Sequence, residues 1–230
     1  MLRCEVNPHT TVLLLDRPER ANAYDQALLR ALEAALDAVT TPTVVIGSTG
    51  DGAFCAGADL KELPQGDPLR ALDLLSQRVF ERLARAPFIT LAAIQGPAVG
   101  GGFELALACD LRVVGPRARL WLPETGIGLV PAAGGCTRLP RLVGLSRAKE
   151  VILGGRVVDA NTALAWGLAA RQHESPLTEA LAWAQELSRR DPVAQRLAKS
   201  LLDETWPTGP SLAMERVTEA LLYTRRGDDR

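Results

Sequence analysis

Four short apolar runs, TVLLL (11–15), VVIGS (44–48), ITLAAIQG (89–96) and LRVVG (111–115), alternate with helical stretches through the first half of the chain. Runs of this length read as strands buried on both faces, and strands interleaved with helices read as an α/β arrangement on a largely parallel sheet. The first run is closed by DRPER, a turn, after which Leu28, Leu29, Leu32, Leu36 and Val39 share one helical face. A second helix is expected near 69–84, and a third beginning at the glycines of GPAVGGGFELALACD (96–110). From Leu177 the strand-like runs stop, and LTEALAWAQELSRR, PVAQRLAKSLLDETW and LAMERVTEALLYTRR read as three amphipathic helices. The expected division is an α/β core over 1–174 and a helical region over 175–230.

Composition removes several classes of function. With 26 basic against 27 acidic residues, the net charge of -1 offers no footprint for nucleic acid or an anionic membrane surface. No run is long and apolar enough for a membrane span, and MLRCEVNPHT lacks a signal-type apolar segment, so neither insertion nor export is expected. Cys4, Cys55, Cys109 and Cys136 form no C-x-x-C pair and no cluster with histidine. They are expected to be reduced thiols of a cytoplasmic protein, with no metal site and no disulfide framework.

Within GPAVGGGFELALACD, Glu104 stands among glycine and apolar side chains. An ionised carboxylate buried there without partners would cost several kcal/mol or more, on the order of the penalty for any unpaired charge. Either the side chain reaches solvent or the protein uses it. This loop and GSTGDGAFCAGADLKEL (47–63) each follow a strand and carry glycines that let backbone approach a ligand closely. A helix starting near Gly101 leaves its first N–H groups without intrahelical partners. A further N–H near Ala58 would complete a two-donor oxyanion hole. Glu104 lies about one helical turn from Gly101, and Glu124 sits in the similarly apolar LWLPETGIGLVPAAGG (120–135). Two carboxylates beside one oxyanion hole can hold a water between them, one accepting its proton while the other donates. Taken singly, glycine loops after strands also serve purely structural ends, and a Glu after Pro is often a cap or a surface charge.

Other readings fit less well. Neither G-x-G-x-x-G nor the G-x-x-x-x-G-K-[ST] phosphate loop is present. The two histidines, His9 and His173, lie in no motif, and G-x-S-x-G is missing, which argues against a serine hydrolase. Ser146 in GLSRA reads as a helix N-cap, the four tryptophans as packing residues, and Cys55 as a small core residue.

Taken together, RPERANAYDQALLRAL, FCAGADLKEL, GPAVGGGFELALACDLRVV, PETGIGLVPAAGGCTRLPRLVG and AKEVILGGRVVDANTALAWGL resemble the enoyl-CoA hydratase/isomerase, or crotonase, superfamily. The resemblance implies a crotonase (ClpP-like) fold of repeated ββα units, with a C-terminal helical region used for trimerisation and hexamers built from two trimers. It implies an acyl-CoA thioester as ligand, its oxygen held by the N–H groups of Ala58 and Gly101. Ala56, Ala58, Asp59, Leu60, Lys61 and Gly101 fall on substrate- and CoA-binding positions, and Glu104 and Glu124 on the glutamates that position and activate water. Asp59 fits a capping role equally, and Lys61 either a CoA phosphate or a solvated surface. The activity implied is hydration of a 2-enoyl-CoA, with no metal and no cofactor beyond the CoA of the substrate. Isomerases and other branches usually keep one of the two glutamates, which favours hydratase. ELALACDLRV with RLPRLVG also resembles methylglutaconyl-CoA hydratases, so a branched substrate stays open, as do double-bond isomerisation of an enoyl-CoA and a silent scaffold. The chain departs from the family at PAAGGCT, where Ala132 replaces a glycine and Cys136-Thr137 replaces Thr-Gln.

Overall fold

The computed structural model describes residues 1–59 and 74–204. Leu60, Lys61, the first part of the helix expected near 69–84 and the helix expected over LAMERVTEALLYTRR lie outside these.

The expected α/β arrangement is present. Strands β1 (Leu2–Val6), β2 (Thr10–Leu15), β3 (Thr43–Ser48), β4 (Ile89–Ile94), β6 (Leu111–Val114) and β9 (Arg171–Gln172) form a six-stranded sheet in the order β1-β2-β3-β4-β6-β9. All its pairs are parallel except β1 with β2. A smaller sheet joins β5 (Pro97–Val99), β7 (Arg119–Trp121) and β8 (Val158–Asp159).

Period-two alternation divides the central strands between two cores. Val44, Ile46, Ala92, Ile94 and Val114 face the main core. There they meet helices α1 (Gln26–Asp37), α2 (Leu75–Ala84) and α3 (Gly101–Ala108). Val45, Leu91, Ala93 and Val113 face the other way, where Ala180 and Ala184 of α7 (Pro176–Leu187) cover them. Helices α4 (Gly135–Val143), α5 (Leu145–Ile152) and α6 (Ala160–Ala165) lie between β7 and β9 in the chain.

The ββα repeat is visible as β4–β5–α3 and again as β6–β7–α4. Cys55 extends the pattern after β3 through a parallel bridge to Ala98 of β5. Each repeat thus carries the chain from the large sheet to the small one and delivers a helix N-terminus at the same edge.

Local chemistry explains several boundaries. Asp25 caps α1 by accepting the Leu28 N–H at 2.7 Å. Ser146, expected as an N-cap, lies inside α5; the cap is Gly144, at φ 81. A backbone in that left-handed region favours glycine, so the turn rather than a serine hydroxyl sets the start. The last described helix, α8 (Pro192–Glu204), is tied down by Lys199, whose Nζ donates to the Phe88 carbonyl at 3.0 Å and pairs with Asp110 at 2.8 Å. Its Val193, Leu197, Leu201 and Leu202 are exposed. No helix of the described residues is long and apolar enough to cross a membrane.

Candidate active site

All eight residues of α3 are buried, as a helix that is apolar on every side must be. Glu104 is the exception in chemistry but not in burial, at 3% exposure. Its Oε1 accepts hydrogen bonds from the N–H groups of Ala133 and Gly135, each at 2.8 Å. Gly135 opens α4, so Glu104 reaches from one helix into the N-terminus of another. Two main-chain donors and the positive end of a helix offset much of the lost hydration. The main-chain donors that serve Glu104 come from the start of α4, while the residue itself sits in the first turn of α3.

The loop that supplies these donors is braced from outside. Gln77 of α2 donates to the Ala132 carbonyl at 2.8 Å, and Arg138 donates to the Ala133 carbonyl at 2.9 Å while pairing with Glu81 at 2.7 Å. Ala132 avoids positive φ, the condition under which alanine can replace the family's glycine; the left-handed turn falls at Gly134, φ 113.

Glu124 arrives from the small sheet. The Gly100 N–H donates to the carbonyl of Trp121 in β7 at 2.9 Å, which brings the following 3-10 turn, Glu124–Ile127, against the start of α3. A Cβ on Gly100 would stand 2.6 Å from Glu124 Oε1. The other oxygen, Oε2, is buried and takes no hydrogen bond from the described residues, although the carboxylate has further interactions. Glu104 and Glu124 line one open cleft together with Tyr24, Ala58, Gly101 and Ala133.

Ala58 is held by an isolated parallel bridge to Tyr24. The bridge runs through its neighbours: Tyr24 N–H donates to the Gly57 carbonyl at 2.9 Å, and Asp59 N–H to the Tyr24 carbonyl at 2.8 Å. In a parallel ladder this pattern turns the Ala58 amide to the opposite side. Gly101 is the first residue of α3, so its N–H has no intrahelical partner. Among the described residues no main-chain carbonyl accepts either amide. The two loops meet at Gly57, φ 91, where an added Cβ would lie 2.8 Å from the Val99 carbonyl oxygen and 3.3 Å from Gly101 N. Only glycine fits both that φ and that approach.

Of the remaining expected contacts, Ala56 lines the cleft. The Asp59 carboxylate lies 3.6 Å from Arg17, which also pairs with Asp25 at 2.9 Å, so the loop carrying Ala58 is tied to the cap of α1. Leu60 and Lys61 fall outside the described residues. Burial pushes the Cys55 thiol up to about 12, as suits an inert core residue. His9 and His173 stand outside the cleft lining. Among the described residues no group of three or more metal-ligating side chains comes together.

Sequence reasoning passed over Tyr24. A Cβ on Gly101 would collide with its hydroxyl oxygen, so that hydroxyl lies against the start of α3. Its ring packs edge-on against Phe80, with centroids 5.7 Å apart. Burial pushes the phenol well above its ordinary range, and the Glu104 carboxylate adds to the rise. The available signal was an aromatic placed between the turn at Pro18–Arg20 and the cap at Asp25, where a solvated loop would carry none.

Comparison with known proteins identifies the family. The family model described as enoyl-CoA hydratase/isomerase matches residues 6–225. The chain is 40% identical, over 91% of its length and 85% of the relative's, to YngF of Bacillus subtilis (strain 168), provisionally named an enoyl-CoA hydratase/isomerase. It is 39% identical to the mitochondrial methylglutaconyl-CoA hydratase of Mus musculus, over 87% of this chain and 68% of that one. Among solved structures, an enoyl-CoA hydratase from Bacillus anthracis superposes with a TM-score of 0.85 at 33% identity, covering 100% of this chain and 92% of the other. The alternating β–β–α path, the buried Glu104 and these matches lead to one assignment: the chain has the crotonase fold and belongs to the enoyl-CoA hydratase/isomerase family.

Proposed function

We propose that the protein is an enoyl-CoA hydratase, adding water across the double bond of a 2-enoyl-CoA to give a 3-hydroxyacyl-CoA. The observation that carries this reading is the meeting of two carboxylates, from separate elements, in a cleft whose wall holds two amides that no described main-chain carbonyl accepts. The thioester oxygen takes hydrogen bonds from the N–H groups of Ala58 and Gly101. These stabilise the negative charge that develops there as the conjugated system accepts a nucleophile. Glu104 and Glu124 hold one water over the alkene. Its oxygen bonds to the β carbon, the π electrons move toward the thioester, and a proton is delivered to the α carbon on the same face. One carboxylate accepts a proton and the other donates one, so their titration belongs to the pair.

Ala56, Asp59, Leu60 and Lys61 would line the path of the CoA moiety, with Asp59 already held by Arg17. CoA belongs to the substrate, and the step calls for no metal or redox cofactor. The likeness to a methylglutaconyl-CoA hydratase supports a branched enoyl-CoA as a second substrate reading. Assembly as a homotrimer or a dimer of trimers is supported by the exposed Val193, Leu197, Leu201 and Leu202 on α8. Four free cysteines suit a cytoplasmic protein.

Mixing the protein with crotonyl-CoA tests the activity. The conjugated thioester absorbance is expected to fall while the product gains the mass of one water. A bound thioester that is never hydrated would overturn the hydratase reading and favour the scaffold.

A further inference from the structure

The hydration scheme uses two carboxylates and two amides and leaves two side-chain hydroxyls of the cleft without a role, those of Tyr24 and Ser76. The Tyr24 hydroxyl is the one set against the proposed donors. It lies against the Cα of Gly101, and the Tyr24 main chain forms the bridge that orients Ala58. One residue therefore braces one proposed donor and overhangs the other. We propose that Tyr24 is a third hydrogen-bond donor to the thioester oxygen of the bound acyl-CoA, and that Ser76 orients its hydroxyl for this task.

Three observations support the assignment. Both Tyr24 and Ser76 line the cleft with Ala58 and Gly101. The hydroxyl is held neutral by burial and by the nearby carboxylates of Glu104 and Glu124, so it keeps its proton and acts as a donor rather than a base. The Ser76 hydroxyl, a hydrogen-bond partner of the Tyr24 side chain, acts against that rise. With Ser76 donating to that oxygen, the Tyr24 proton is free to point at a ligand, and such a chain of hydroxyls polarises the final donor. A phenylalanine would pack on Phe80 equally well; only a donor needs the oxygen.

The proposal rests on the acyl-CoA reading of the cleft, and acetoacetyl-CoA separates the two. Its enolate places negative charge on the oxygen in question and is followed by its ultraviolet absorbance, with no hydration step. The wild-type protein is expected to favour the bound enolate. Tyr24→Phe shifts the enolate titration to higher pH by about one unit, the equivalent of a tenfold loss of charge stabilisation. In the crotonyl-CoA assay the same variant lowers kcat by roughly tenfold to a hundredfold, below the cost of a main-chain donor, with KM unchanged. Ser76→Ala gives smaller changes in the same direction.

A wild-type enolate titration in Tyr24→Phe, or a loss confined to KM, overturns the proposal. If Tyr24→Phe does not fold by circular dichroism, Ser76→Ala decides, and an unshifted titration in it counts against the idea. Enolate formation by a wild-type protein that never hydrates crotonyl-CoA leaves Tyr24 as a donor while removing the hydratase reading. No bound enolate at all removes both.

Discussion

Glu104 illustrates how a charge can be legible in a sequence while its support is not. A lone acid in an apolar glycine-rich stretch announces a conflict that burial must resolve. The groups that resolve it, the amides of Ala133 and Gly135, carry no side-chain signal, because any residue but proline offers an N–H. The same holds for Ala58 and Gly101, whose amides became candidates through family resemblance and loop chemistry, and for Tyr24, whose hydroxyl reaches Gly101 from a distant turn. Two expectations belong at this scale. Gly101→Ala drives a methyl into the Tyr24 hydroxyl; hydration of crotonyl-CoA should fall about a hundredfold, as for loss of an oxyanion donor. Wild-type kinetics in that variant would remove Gly101 from the site. Burial also pushes the Cys55 and Cys109 thiols up to about 12. Because the thiolate is the reactive form, alkylation of the native protein at mildly alkaline pH, read by mass spectrometry, should mark the exposed Cys4 and spare both until the chain unfolds.

Elements differ in what they give away. Strands β2, β3, β4 and β6 are apolar on both faces and were legible as runs, and α1 was legible from its leucine spacing and from Asp25. Strands β5, β7, β8 and β9 hold only two or three residues each, too few for any period to appear. Edge strand β1 is largely exposed, and its pairing partner alone defines it. Yet β5 and β7 matter most for the site, since they aim Gly100 and Glu124 at each other. Helix α2 acts at a distance through Gln77, which holds the Ala132 carbonyl, and through Glu81, which holds Arg138. Gln77→Leu takes that donor from the buried Ala132 carbonyl, so it should cost about 1–3 kcal/mol of stability and lower kcat by roughly tenfold to a hundredfold, the scale of a small misplacement of a reacting group. A variant with unchanged kcat would show that the brace has no bearing on Glu104. At the other end, Lys199→Met leaves Asp110 and the Phe88 carbonyl without the ammonium. Urea unfolding should report a loss of about 1–3 kcal/mol.

In the whole molecule, the site belongs to no single segment. Glu104 comes from α3, its two donors from the start of α4, Glu124 from the turn after β7, and the Ala58 loop from beyond β3. This is why their meeting was expected from loop chemistry and family resemblance, while spacing along the chain gave only the candidates. At the same scale, the exposed apolar residues of α8 should hold copies together. Sedimentation is expected to show trimers or hexamers, and Leu197→Glu with Leu201→Glu should shift them toward monomers. The convergence itself is tested most directly by measuring kcat on crotonyl-CoA for Glu104→Gln, Glu124→Gln and the pair combined. Groups that share one water act as a unit. Each single change should cost roughly a hundredfold to ten-thousandfold, and the double variant should fall no lower than the worse single one. Near-wild-type hydration in the double variant, or losses that simply multiply, would contradict a shared water.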